Sequence, residues 1–219
     1  MRLRHLHLPG LTPYLRASAI QDHFVRIQLD HKKAPSTSPA PNPFLLTFQT
    51  PPTYTCGRRE VGTLTSDQID HLKAGGKAEF YEALRGGQTT FHGPENPGVW
   101  IGQDPDDRKL ASVGVHLRRH VSSHGIGLNV NVDLGWFDRI VACGLVGKKA
   151  TNIEREISLS SQGADSSGAP PMSDVASKFA AHVAERLGNV GEHVDTVNEI
   201  DVLPETLLID ALPETLVLG

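Results

Sequence analysis

The chain has 219 residues, room for one domain with a sizeable core or two very small ones. Apolar residues make up 38% and charged residues 21%, with a formal net charge of -4, the composition of a soluble globular protein. No basic block argues for nucleic acid, no apolar run approaches a membrane span, and two cysteines exclude a disulfide framework of the secreted kind.

From the N-terminus, "MRLRHLHLPGLTPYLRASAIQ" carries three arginines and no acid before Asp22. That composition resembles a mitochondrial presequence. Pro9 and Pro13 interrupt a long amphipathic helix, however, and residues 3–8 alternate as a half-buried strand does. The spacing of Ile20, Phe24, Val25 and Ile27 predicts a helix over 17–29. A Pro/Ser loop, expected to be flexible, fills 34–43, and "FLLTF" (44–48) is a buried strand. Ser66 is expected to cap a short helix that stops at Gly75–Gly76.

Further strands are expected at 78–84, 98–102, 110–117 and 126–134, and a helical turn in "GWFDRIVACG". Residues 158–171 have the composition of a second flexible surface loop. Ser173 then caps a helix whose apolar positions Val175, Phe179, Val183 and Leu187 recur every four residues. An irregular tail over 189–219 contains "LPETL" twice, too short a repeat for a solenoid. Interleaved strands and helices suggest an α/β or α+β domain spanning 1–219.

Cys143 lies in "VACGLVGKKAT", before a glycine that allows a turn to expose it. A nearby ammonium would favour its nucleophilic thiolate, while the plain alternative is a small buried hydrophobe. Cys56 has Arg58 and Arg59 close by and reads equally as a strand-end core residue. "RGGQTTFHG" combines glycines, hydroxyls, an amide and an imidazole, suited to close approach to a ligand, though without the Gly-Lys-Ser/Thr of a P-loop. His116, His120 and His124 recur every four residues, but on a strand and turn that spacing spreads them too far to share a metal.

Four stretches together, "PPTYTCGRRE", "LRGGQTTFHGP", "RKLASVGVHLRRHVSSHGIGLNVNVDL" and "ACGLVGKKAT", resemble the octanoyltransferases of lipoate biosynthesis, especially the fungal mitochondrial kind. The resemblance covers roughly residues 2–155. It implies an α/β fold with a mixed sheet and flanking helices, shared with biotin and lipoate protein ligases. It implies a mitochondrial enzyme that moves an octanoyl group from octanoyl-acyl carrier protein to a lysine of lipoyl domains. The acceptors would be 2-oxoacid dehydrogenases and the glycine cleavage H protein, and neither cofactor nor metal is required.

By the same resemblance Cys143 is the nucleophile and acyl carrier, and Lys109 stabilises its thiolate. Arg85, Gly86, Gly87, Gln88, Thr89, Thr90, Phe91 and His92 match one acyl-binding stretch. Ser112, Val113 and Gly114 match a second, and Gly125, Ile126 and Gly127 a third. The chain departs from the family after "HGP", where "ENPGVW" follows at once. Several tens of residues that carry core strands and a long helix are missing at Pro94–Glu95. The alternatives are a catalytically impaired shorter isoform that only binds acyl groups or lipoyl domains, an ATP-dependent lipoate or biotin ligase, and a generic cysteine hydrolase.

Overall fold

The computed structural model describes residues 1–35, 39–86, 98–102, 106–140, 148–160, 168–188, 191 and 193–208. These fall into two compact units, residues 1–51 with 172–219, and residues 52–171.

In the first unit, β1 (Leu3–Leu11) is the middle strand of a parallel sheet, flanked by β2 (Phe44–Gln49) and β9 (Val194–Val197). Helix α1 (Tyr14–Lys33) makes the crossover from β1 to β2 that a parallel pair needs. Leu6 and Leu8 pack with Ile20 and Phe24 of α1 and with Leu203 in one fully buried cluster. Phe24 stacks on Phe44 with ring centroids 3.9 Å apart. Period two places Leu3 and His5 on the opposite face from Leu6, and both are buried too, as expected of a parallel strand covered on both sides. His5 Nε2 and His7 Nδ1 share the Thr47 hydroxyl at 2.8 and 3.0 Å, which gives the buried imidazole a partner.

Helix α4 (Met172–Arg186) packs against β1 and β9. It buries Ala176, Ala180 and Ala184. The expected stripe Val175, Phe179 and Val183 is only half-buried, and Leu187 is exposed. The period was right and the phase was off by one position, because alanines allow the helix axis a closer approach to the strand than bulky residues would. Ser173 lies inside this helix rather than at its cap. The expected irregular tail contains β9 and two short helices, α5 (Glu199–Val202) and α6 (Glu205–Leu208), with Leu203 of the first "LPETL" in the core.

In the second unit, β3 (Thr53–Cys56) pairs in parallel with β4 (Glu79–Glu82) across α2 (Ser66–Lys73). Thr65, not Ser66, caps α2, through a reciprocal capping box with Gln68. A mixed sheet follows. β5 (Val99–Ile101) and β7 (Val121–Leu128) lie antiparallel to β6 (Arg108–Arg118), and β8 (Lys149–Ala150) lies parallel to it. The strand expected at 126–134 thus begins five residues earlier and ends at Leu128. Helix α3 (Ile153–Ser160) takes the first residues of the loop expected from 158 onward. The α/β class with a mixed sheet and flanking helices is as the sequence suggested.

Candidate active site

Strand β6 carries four of the described candidates, Lys109, Ser112, Val113 and Gly114. Lys109 enters it next to a bulge: Val99 and Trp100 of β5 face Ala111 and Lys109, so Leu110 has no opposite number. Bulges of this kind re-aim neighbouring side chains. Lys109 is 4% exposed. Its Nζ sits 5.2 Å from the centroid of the Trp100 ring. Its carbonyl accepts from the Thr151 amide at 2.9 Å and from the Asn129 side-chain amide at 3.4 Å.

Farther along β6, the second and third acyl-binding stretches face each other. Ser112 pairs with Gly127, Val113 with Ile126 and Gly114 with Gly125. Directly opposed residues share a face. One face of the hairpin is therefore nearly bare backbone, Ser112 and Gly114 against Gly127 and Gly125, while the other carries Val113 and Ile126, both exposed. A Cβ added at Gly125 or Gly127 would meet open space.

The first stretch reaches the same strand. The Gly86 amide donates to the Val115 carbonyl at 2.9 Å. A Cβ on Gly114 would lie 3.0 Å from the Gly86 carbonyl oxygen and 3.3 Å from the Arg85 Cδ. Arg85 itself is committed to β3. Its Nη2 donates to the Thr55 carbonyl at 2.6 Å and its Nε to the Thr55 hydroxyl at 3.1 Å. Gly87, Gln88, Thr89, Thr90, Phe91, His92 and Cys143 lie outside the described residues.

A second layer, which the motifs did not single out, fixes residues 151–156. Thr151 and Asn152 are buried. The Asn129 amide also donates to the Thr151 carbonyl at 2.9 Å, and the Asn152 amide to the Val132 carbonyl at 2.8 Å. The Asn152 side-chain oxygen accepts from the Arg155 amide at 2.8 Å, in the first turn of α3. Glu156 receives both the Nε and the Nη2 of Arg108 at 3.0 Å, and the Thr151 hydroxyl. Its carboxyl is held below the ordinary glutamate value, chiefly by the Arg108 hydrogen bond. The asparagine in "GLNVNVDL" and the "ATN" after "GKK" were the available signals, polar residues set among apolar ones where a buried side chain must find backbone partners.

Cys56 is buried, and burial, with Glu82 beside it, pushes its thiol pKa up. That is the core-residue alternative and not an activated nucleophile. The His116–His120–His124 run folds around a hairpin turn, with Arg119 and His120 at positive φ in the turn itself. His116 lies opposite Ser123 and His124 opposite Val115, which leaves the two rings 6.5 Å apart on the diagonal. Among the described residues, no group of three or more His, Cys, Asp or Glu side chains is placed to hold a metal ion. No described helix is long and apolar enough to cross a membrane.

The catalytic-domain model of the lipoyl protein ligase A/B family matches residues 95–184. The probable octanoyltransferase of Schizosaccharomyces pombe is 35% identical over 188 aligned positions, covering 66% of this chain and 81% of the relative. The chain belongs to the octanoyltransferases. A mitochondrial octanoyl-[acyl-carrier-protein]:protein N-octanoyltransferase of Danio rerio is 31% identical, with 71% and 83% covered. The mitochondrial octanoyltransferase of Kluyveromyces lactis is 28% identical, with 85% and 80% covered. This is an acyltransferase family, as the four motifs implied.

The 188 aligned positions of the S. pombe octanoyltransferase outnumber the 66% of 219 residues that enter the alignment, so that relative carries tens of residues with no counterpart here. The family match begins at Glu95, on the far side of the expected junction. Both flanks of that junction land on one strand, Gly86 at Val115 and Val99 at Ala111.

Proposed function

We propose that this octanoyltransferase, acting as one domain over 1–219, transfers an octanoyl group in mitochondria from octanoyl-acyl carrier protein to a lysine of a lipoyl domain. The acceptors are the lipoyl domains of 2-oxoacid dehydrogenases and the glycine cleavage H protein. The Cys143 thiolate attacks the thioester carbonyl, and the carrier protein's thiol leaves with a proton. The acceptor lysine's amine then attacks the Cys143 thioester, the amide forms, and the cysteine sulfur is released. Exchange between thioesters is nearly balanced, and the amide product is the more stable, so neither ATP nor a cofactor is needed.

One observation supports this reading above the others: buried Lys109 pairs with Ala150 of β8, the strand reached a few residues past Cys143. A cation there favours a thiolate without a histidine. The acyl chain would lie along one face of the β6–β7 hairpin, the bare strip of Ser112, Gly114, Gly125 and Gly127, with Val113 and Ile126 turned to the other face. By the same reading Arg85 to His92 contribute to acyl binding, and the Gly86 amide is hydrogen-bonded to the Val115 carbonyl of β6.

Incubation with octanoyl-acyl carrier protein followed by intact and peptide mass spectrometry tests the reading. The expected result is an octanoyl adduct on Cys143, lost in Cys143→Ser, that passes to unlipoylated H protein without ATP. A folded chain that takes no adduct would instead be the impaired isoform, a reading favoured by the residues missing relative to the S. pombe protein. Transfer that depends on ATP and survives Cys143→Ser would make it a ligase.

A further inference from the structure

We propose that Trp100, with Gly98 beneath the lysine stem, is a positioning residue for Lys109. The inference rests on the reading that Lys109 favours the Cys143 thiolate, and it assigns the device that aims the ammonium. Backbone contacts fix the root of this lysine, with Thr151 and Asn129 holding its carbonyl. A lysine has four further rotatable bonds, so a fixed root does not fix the charge.

Two residues of the strand after the junction reach the far end of the side chain. Gly98 has φ +134, and a Cβ there would lie 2.4 Å from the Ala111 carbonyl oxygen and 2.7 Å from the Lys109 Cε. The stem thus crosses a spot that only glycine leaves open, on backbone torsion and on space alike. Trp100, directly opposite Lys109 in the β5–β6 ladder, presents its ring with the centroid 5.2 Å from Nζ. That is within the range at which an aromatic quadrupole attracts an ammonium, and indole is the strongest of the protein rings for this. Because the lysine is buried, water screens the attraction little. Glycine and tryptophan stand two positions apart in "PGVW", three to six residues after Pro94. The strand that survives on that side therefore still carries the seat of the lysine.

The test reads the pH dependence of Cys143 alkylation by iodoacetamide, with the Cys143 peptide quantified by mass spectrometry. It uses the full chain and variants at positions 100 and 109. Fluorinated tryptophans, mono-, di- and tri-substituted, are placed at position 100 alone, because they weaken the ring's attraction for a cation at nearly constant shape. The expected result is an alkylation midpoint that climbs stepwise with fluorination. In Trp100→Leu it lies above the unmodified chain by about half a pH unit or more. Trp100→Phe falls between, and Lys109→Met shifts furthest. A purely packing role would not follow the fluorine count. If Trp100→Leu does not fold, the fluorinated series decides alone. Profiles that superimpose across the fluorinated series while Lys109→Met is shifted overturn the positioning role and leave the Lys109 reading intact. A Lys109→Met profile identical to that of the unmodified chain overturns both.

Discussion

Glu156 ties α3 to β6 at the residue before Lys109, through two parallel hydrogen bonds from Arg108. The planar fork of arginine matches a carboxylate in a way lysine cannot. Since the Glu156 pKa in the folded chain lies below its ordinary value of 4.5, the ionised carboxylate favours the folded state above that value. That contribution is lost as pH falls through the ordinary carboxylate range to the lowered folded value. Glu156→Gln should therefore lower the thermal midpoint at pH 7. The gap to the unmodified chain should close as pH drops below about 4, in paired thermal melts across pH. Of the site residues, those with diagnostic chemistry, Lys109 and the glycines of the paired strands, stood out in the sequence once the four motifs were taken together. Arg108, Asn129, Thr151 and Glu156 did not, because their partners come from three separate stretches of chain.

At the scale of elements, α4 separates what a pattern can say from what packing decides. A repeat of four was visible in "SDVASKFAAHVAERL", yet two stripes share that repeat, one of bulky residues and one of alanines. Apolarity favours the first. Helix-to-sheet distance selects the second, because Ala176, Ala180 and Ala184 are the positions buried. Ala180→Leu, at a position 1% exposed, should overpack that contact and cost about 1–3 kcal/mol in urea denaturation. Leu187→Ala, at an exposed position, should stay within about 0.5 kcal/mol. The cap of α2, by contrast, was open to the sequence: Thr65 has Gln68 three residues on, the spacing of a capping box, where Ser66 has Ile69.

For the whole molecule, the exposed apolar face of β6 and β7 has the widest consequence. Val113, Val115 and Leu117 of β6 and Ile126 of β7 are all exposed, Leu117 at 64%. Contiguous apolar surface of this kind promotes association. The chain should scatter light increasingly with concentration and bind the dye ANS. Inserting between Pro94 and Glu95 the residues of the S. pombe octanoyltransferase that have no counterpart here should reduce both by several-fold. Equal scattering and equal dye binding by the restored chain would mean that the exposed face is not what the segment covers.

The sequence by itself determined the family, the α/β class and the order of most strands and helices. Each of these depends on residue type and near-neighbour spacing, which a linear string preserves. Tertiary structure decided which of two apolar stripes α4 buries, that residues 194–197 form a strand beside β1, that Cys56 is a core thiol and that Gly98 and Trp100 flank Lys109. Those depend on distances between residues far apart in the chain, and on which groups lose contact with water when the sheets form.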